Sequence, residues 1–270
     1  MTESPAGGPA TKAVSSWSLH RTLGSFRAGA TDSPPATGMP LLELPAELSR
    51  RGFDTFQLCH FHLPSRDPSY LAELRSALDT SSITLDALLV DDGDLTDPDD
   101  ADRHQAWIGD WLDDAVALGA HRARVIAGKN APTAETLGES ARRLRALAAA
   151  HPDVRVVTEN WFDLLPDAAA VLSLFEQTAG DVGFLIDLGN WTGSEKYGEL
   201  AAVAHLAETC HAKCRFDATG PDTTDYAAAL QVLRDAEFDG PLALIYDGPD
   251  ADEWSALEQE HAVVQTVFTS

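Results

Sequence analysis

The chain has 270 residues, long for a small domain but close to the usual length of a single α/β barrel. Hydrophobic residues make up 44% and charged residues 23%, so a large core can form. Forty-three acidic residues against 19 basic ones give a net charge of −24, which repels phosphate backbones and anionic membranes. Nucleic acid and membrane surfaces are therefore not expected as partners.

Cysteine usage and hydropathy favour a cytoplasmic protein. The three cysteines have neither disulfide-scaffold nor zinc-ribbon spacing, which is typical of a reducing compartment. No apolar run approaches the roughly 18 residues that a membrane span needs. Residues 1–11 lack the basic and apolar regions of a signal peptide, and their Gly, Pro, Ala and Thr content predicts a disordered lead.

Strand-like segments alternate with helical patterns from residue 12 to the C-terminus. Short apolar or β-branched runs predict the strands, and apolar residues three and four apart predict the helices. The predicted strands are 12–19, 53–63, 83–90, 123–129 and 241–247, with three more that begin at residues 154, 182 and 210. The predicted helices are 70–78, 102–120, 133–149, 167–178, 195–208, 225–236 and 253–267, with a short one opening at residue 44 and a loop at 27–39.

This alternation predicts parallel strands joined by right-handed crossovers. Eight βα units favour a closed barrel over an open doubly wound sheet. No Gly-rich dinucleotide fingerprint follows the first strand, which also argues against a Rossmann fold. We therefore predict a single-domain (β/α)8 TIM barrel over residues 12–270.

Three successive strands are followed at once by polar side chains that can bind a metal. Glu159, Asp187 and His211 each come just after an apolar run, and in a barrel the carboxyl ends of the strands meet at the rim where active sites are built. Two carboxylates and an imidazole suit Mn²⁺, Mg²⁺, Co²⁺ or Zn²⁺. A helix cap, a rim salt bridge or a core histidine would explain any one of them alone, but the register of all three favours a metal site.

Other polar and aromatic residues near these strand ends are candidate substrate contacts. Because residues two apart on a strand share a face, His211, Lys213 and Arg215 are expected to point together into the barrel mouth. Lys129 and Lys213 could hold a carboxylate, phosphate or enediolate oxygen, or could form salt bridges with nearby acids. The predicted substrate contacts at this rim are Lys129, Trp161, Asn190 and Arg215.

Two further polar runs have more than one interpretation. His60 and His62 end the second predicted strand and could share a face and bind substrate or metal, although a histidine buried against a helix is the commoner case. Asp91, Asp92 and Asp94 lack the later ligands of a calcium loop, which favours a solvated acidic turn.

Four short pieces of sequence carry a family resemblance by their order and spacing. They are Glu159-Asn160, Asp187-x-x-Asn190, His211-x-Lys213 and the GPLAL run at 240–244. Together they resemble the xylose-isomerase-like TIM-barrel superfamily of sugar-phosphate isomerases and epimerases, over nearly the whole chain from about residue 12. The resemblance implies a divalent metal held by Glu159, Asp187 and His211, and a proton shifted next to a carbonyl through a metal-stabilised enediolate. It also makes Glu159 a candidate acid or base.

The last strand departs from that family pattern. Where the family reads approximately Leu-Ser-Leu-Glu-Tyr-Glu, residues 242–247 read Leu-Ala-Leu-Ile-Tyr-Asp. Ile245 can neither bind a metal nor transfer a proton, so the ligand that the family has on this strand is missing and Asp247 or Lys213 is left for the second proton-transfer role. Three hypotheses follow: an isomerase or epimerase for a small sugar-like substrate, a dehydratase-type lyase, or a non-catalytic metabolite-binding barrel. A metal-dependent endonuclease is disfavoured by the net charge, and a homo-oligomer is compatible with each hypothesis.

Overall fold

The computed structural model describes residues 11–25, 38–217 and 219–269. The disordered lead predicted at 1–11 lies outside the described residues except for its last residue. Most of the loop predicted at 27–39 also lies outside them.

Eight parallel strands close into a barrel, and each strand pairs with the next one along the chain while the eighth returns to the first. This arrangement confirms the predicted single-domain (β/α)8 barrel. The strands are β1 (Ala13–Ser15), β2 (Thr55–Cys59), β3 (Thr84–Val90), β4 (Arg122–Val125), β5 (Arg155–Glu159), β6 (Gly183–Asp187), β7 (Ala207–Lys213) and β8 (Leu242–Ile245).

Helices follow the strands and cover the outside of the barrel. Side-chain caps explain where several begin: Thr133 forms a capping box with Thr136, and Asp167 and Asp222 each accept a hydrogen bond from a backbone N–H in the first turn. In the described chain no helix is both long enough and apolar enough to span a bilayer. The helices are α1 (His20–Leu23), α2 (Leu44–Arg50), α3 (Pro68–Thr80), α4 (Ala101–Leu118), α5 (Ala134–Ala150), α6 (Ala168–Thr178), α7 (Lys196–Val203), α8 (Thr223–Asp235) and α9 (Glu253–Thr269).

Several strands and one helix are shorter than predicted. The run predicted as strand 53–63 leaves the sheet after Cys59, where residues His60–His62 form a 3₁₀ turn. The fourth strand ends at Val125 rather than at residue 129. The helix predicted at 195–208 ends at Val203, and β7 already begins at Ala207. Apolar content persists beyond the hydrogen-bonded ladder in the first two cases, so periodicity alone overestimates the strand length.

Inward-facing side chains form layers along the barrel axis. An apolar layer is built from Cys59, Ala87, Leu89, Val157 and Leu185. Because side chains alternate along a strand, the next inward residues after Val157 and Leu185 are Glu159 and Asp187 at the carboxyl rim. The barrel therefore presents acidic side chains directly above a packed apolar layer.

Candidate metal centre and active site

Glu159, Asp187 and His211 converge on one point at the carboxyl ends of β5, β6 and β7. Asp187 and His211 are register partners on neighbouring strands. One ligand atom from each of the three buried residues lies within 4.8 Å of the others. Nδ1 of His211 is 3.4 Å from Oε1 of Glu159 and 3.5 Å from Oδ2 of Asp187. The cluster therefore has the donor set and the spacing to hold one divalent cation.

A proton on the histidine offsets one of the two carboxylate charges in this cluster. Burial lowers the pKa of His211, but the neighbouring Glu159 and Asp187 carboxylates outweigh it and raise the pKa to about 9. Burial raises the pKa of Asp187, but His211 and Lys213 outweigh that effect and lower it. In the metal-free protein an imidazolium thus lies between two carboxylates, and a bound cation would replace its proton.

Two asparagines hold the acidic residues of the cluster in place. The Asn160 side chain donates to the backbone carbonyl of Asp187 at 3.0 Å and accepts from its backbone N–H at 2.7 Å. The Asp187 carboxylate accepts from the backbone N–H groups of Gly189 and Asn190 at 2.6 and 2.8 Å. The Asn190 side chain donates to Oε1 of Glu159 at 2.8 Å. These bonds fix both carboxylates without occupying every oxygen, since Oε2 of Glu159 accepts no hydrogen bond from the described residues.

A buried arginine completes the site. Arg124 on β4 is 2% exposed, and its Nε lies 3.1 Å from Oε2 of Glu159. Its Nη2 pairs with Asp91 at the end of β3, and its Nη1 donates to the backbone carbonyl of Val90 at 3.2 Å. Burial raises the pKa of Asp91, but Arg124 and the nearby His60 together outweigh it and lower the pKa to about 2. One guanidinium is thus shared between two buried carboxylates.

The interpretation of residues 91–94 as a solvated acidic turn is wrong for two of the three acids. Asp91 is 1% exposed and Asp94 is 8% exposed, whereas the Asp92 side chain is 66% exposed. Asp91 is needed inside the barrel as a counterion for Arg124. The sequence feature that indicates a buried counterion is Arg124, a charged residue within the apolar run of β4.

A cavity opens above the cluster toward the barrel mouth. It shares Trp161 and Asn190 with a wider groove of about 470 Å³, which runs between the loops that follow β5 and β6. Around the three candidate ligands the cavity is lined by Trp17, Leu89, Asp91, Arg124, Trp161, Asn190, Lys213 and Ile245.

Sequence comparison identifies the family. The family model described as a xylose isomerase-like TIM barrel matches residues 45–265. The chain belongs to this family. A search of curated proteins found no match.

Three solved structures share this fold at low sequence identity. A xylose isomerase-like TIM barrel protein from Mycobacterium smegmatis, in complex with magnesium, has a TM-score of 0.69 at 15% identity, covering 99% of both chains. The probable 3-DHS dehydratase of petrobactin synthesis from Bacillus anthracis has a TM-score of 0.72 at 13% identity, covering 94% of this chain and 98% of the other. The 3-keto-D-glucoside 4-epimerase from E. coli has a TM-score of 0.67 at 15% identity, with coverages of 94% and 98%. At such identities the likeness shows the fold alone.

In this member of the xylose isomerase-like family the last strand contributes an apolar residue to the cavity. Ile245 is 3% exposed and faces the cluster from β8. Asp247, two residues further on, is not among the residues that line the cavity; it instead pairs with Lys213, whose Nζ lies 2.6 Å from Oδ2 of Asp247. Lys213 therefore lines the cavity, whereas Asp247 contacts Lys213 and does not line the cavity.

Of the predicted substrate contacts, Trp161 and Asn190 line the cavity and the others lie elsewhere. Lys129 pairs with Asp92, 3.1 Å away, at the edge of the mouth. Arg215 is exposed beyond the end of β7. His60 stacks edge-on against Trp107 and Trp111. His62 lies 2.8 Å from Oγ of Ser16 and 3.1 Å from Nδ1 of His20.

His60 and His62 do not share a strand face, because the chain leaves β2 at Cys59 and turns as a 3₁₀ helix. Burial lowers the pKa of His62 to about 3, so this ring is neutral at physiological pH. Both histidines pack beside the barrel mouth, and neither is among the residues that line the cavity.

Proposed function

We propose that this protein is a divalent-metal-dependent enzyme that shifts a proton next to the carbonyl of a small sugar-like substrate, as an isomerase or epimerase does. The buried Glu159, Asp187 and His211 cluster at the carboxyl rim carries the proposal. These three residues would hold the cation. A bound divalent cation would polarise the carbonyl oxygen of the substrate as a Lewis acid.

Lys213 is the group best placed to handle a proton or an oxyanion in the cavity. Burial lowers the pKa of Lys213, but Asp187 and Asp247 outweigh it and raise the pKa. The ammonium is therefore kept charged, 2.6 Å from Oδ2 of Asp247. It can donate a proton or stabilise negative charge on a substrate oxygen. Asp247 would orient Lys213 rather than meet the substrate itself.

Glu159 would hold the cation, and among the described residues it is also the one glutamate lining the cavity that could take the proton from carbon. Asn190 donates to its Oε1, and the Arg124 guanidinium lies 3.1 Å from its Oε2. With Ile245 on the last strand, a pair of opposed glutamates is not available for proton transfer on both faces of one carbon. This favours an isomerisation, in which one group carries the proton. An epimerisation, which needs two such groups, is disfavoured.

A dehydratase-type reaction is the second candidate, and Ile245 is the observation that favours it. Elimination of water next to a carbonyl needs a base at carbon and an acid at the departing hydroxyl, while a cation holds the carbonyl oxygen. The Lys213 ammonium beside Asp247 would be the acid, and Glu159 would be the base.

The shape of the site favours a small polyhydroxy compound that enters by one end. The reacting carbons would sit beside the cluster, while the rest of the molecule would extend along the groove of about 470 Å³ past Trp161 and Asn190. Trp161 offers an apolar wall and Asn190 a polar contact.

The first test is metal content by elemental analysis of the purified protein and of the Glu159→Gln, His211→Ala double variant. We expect about one equivalent of divalent metal in the wild type and none in the double variant. A Glu139→Gln, His151→Ala variant makes the same chemical changes on α5 and at the residue that follows it, outside the cluster, and should retain the metal. No metal in the wild type, with no thermal stabilisation by added Mn²⁺, Mg²⁺, Co²⁺ or Zn²⁺, would overturn the proposal.

The second test is proton exchange at carbon. The loaded enzyme in D₂O, with ketoses, aldoses or their phosphates, should incorporate deuterium next to the carbonyl, observable by NMR. Formation of an unsaturated product instead would indicate the dehydratase.

A further inference from the structure

The second ring nitrogen of His211 faces into the barrel, away from the cavity. Nε2 of His211 lies 2.9 Å from Oε1 of Gln57 on β2. The Gln57 amide nitrogen donates to Oδ2 of Asp86 at 2.8 Å and to Oγ1 of Thr209 at 3.1 Å. Asp86 also accepts from Thr209 at 2.8 Å and from Nη1 of Arg122 at 2.5 Å. Gln57, Asp86 and Thr209 are all buried.

The direction of each hydrogen bond in this chain follows from its chemistry. The Asp86 carboxylate, paired with Arg122, can only accept. The Gln57 side chain must therefore turn its amide nitrogen to Asp86 and its oxygen to His211. That oxygen can only accept, so the proton of a neutral His211 ring belongs on Nε2. Nδ1, which faces Glu159 and Asp187, is left with its lone pair.

A β-bulge puts the Asp86 carboxylate under Gln57. The register between β2 and β3 passes from Phe56 opposite Leu85 to Gln57 opposite Ala87, which leaves Asp86 as the extra residue. Such a bulge re-aims a side chain that regular alternation would send to the other face. Here it brings a carboxylate into the barrel interior below the metal-binding rim.

We propose that Gln57, oriented by Asp86, is a positioning residue that fixes the His211 proton on Nε2 and so keeps Nδ1 available as a metal ligand. The inference rests on the proposed metal centre. Outer partners that orient a ligating histidine typically change metal affinity by about 10- to 100-fold when they are removed. Gln57 and Asp86 touch neither the cavity nor the other two ligands, so their effect must pass through His211.

The test compares Mn²⁺ affinity in Gln57→Met and Thr209→Val, each stripped of metal and checked for folding by circular dichroism. Methionine keeps the unbranched shape of glutamine without its oxygen. Thr209→Val removes one hydrogen bond to Asp86 and one from Gln57 in the same buried layer, but it leaves Gln57 bonded to both Asp86 and His211. We expect the dissociation constant to rise by about 10- to 100-fold in Gln57→Met and to stay near the wild-type value in Thr209→Val.

The outcomes distinguish a failure of this inference alone from a failure of the proposed function. No Mn²⁺ binding by the wild type overturns both. Tight binding by the wild type, with equal affinity in Gln57→Met, overturns the positioning role alone. A measurement without variants covers the case in which Gln57→Met does not fold: ¹⁵N NMR of the Zn²⁺-loaded wild type should show the His211 proton on Nε2. A proton on Nδ1 would overturn the inference.

Discussion

Binding of a divalent cation by Glu159, Asp187 and His211 should release a proton at neutral pH. The two carboxylates raise the pKa of His211 to about 9 against the effect of burial. A metal ligand must be deprotonated, so cation and proton compete for the same ring. We therefore predict that the affinity for Mn²⁺ increases with pH throughout the range below about 9.

The size of the effect follows from the pKa. At pH 7, about two units below it, roughly 1% of the metal-free protein has a neutral His211, and the apparent affinity is about 100-fold below its limit at high pH. Each pH unit between 6 and 8 should change the apparent dissociation constant by about tenfold. The proton also affects folding: since the folded pKa lies above the usual 6.5, protonated His211 stabilises the metal-free protein fully below about pH 6.5, and this stability is lost as the pH rises through about 9.

Calorimetric titration with Mn²⁺, in two buffers with different heats of ionisation, counts the protons released. We expect close to one proton for each cation at pH 7. The His151→Ala variant, which changes a histidine outside the cluster that lies 3.5 Å from Asp113, should release the same number. A proton count near zero, or an affinity that is flat between pH 6 and 8, would refute the assignment of His211 as a ligand that is protonated in the metal-free state.

Three substitutions test the roles of Arg124, Ile245 and Lys213, which line the cavity. Arg124→Met leaves Asp91 and Glu159 buried without their counterion, and should lower the free energy of unfolding in urea by about 3–5 kcal/mol; a loss below about 1 kcal/mol would contradict the shared ion pair. Ile245→Glu adds a carboxylate to the cavity, and should tighten Mn²⁺ binding by about tenfold or more while destabilising the metal-free protein; unchanged affinity would show that this position does not face the cation. Lys213→Met should keep the metal, measured by elemental analysis, but lower deuterium exchange into substrate by about 10²- to 10⁴-fold; undiminished exchange would remove Lys213 from the reaction.

The fold could be predicted because each βα unit is a local pattern. Apolar runs and helical spacing depend on residues close in sequence, and eight such units leave few ways to pack. The predicted ends of the strands were less accurate, because the hydrogen-bonded ladder of a strand ends where its partner strand ends. Residues His60–His62 illustrate this, since their sequence continues the pattern of β2 while their backbone already turns.

The convergence of three candidate ligands could be predicted because they lie in equivalent places on neighbouring strands, whereas their role as metal ligands stays a prediction. Glu159, Asp187 and His211 follow three consecutive apolar runs, so counting along the chain was enough to bring them together. Arg124 and Asp91 were missed because their pairing is a contact between strands, and a charge within an apolar run does not reveal its counterion. The pairing of Arg124 with Asp91 depends on hydrogen bonds and burial that form only when the barrel closes.

The extra residue in β3 has a consequence for how this barrel can vary among its relatives. Deleting Asp86 would restore regular pairing with β2, but it would also remove the carboxylate that orients Gln57. A homologue without the insertion should therefore carry a different residue at position 57, or support its histidine from another strand. In relatives, an extra residue at this point of β3 and a glutamine opposite it on β2 should therefore occur together.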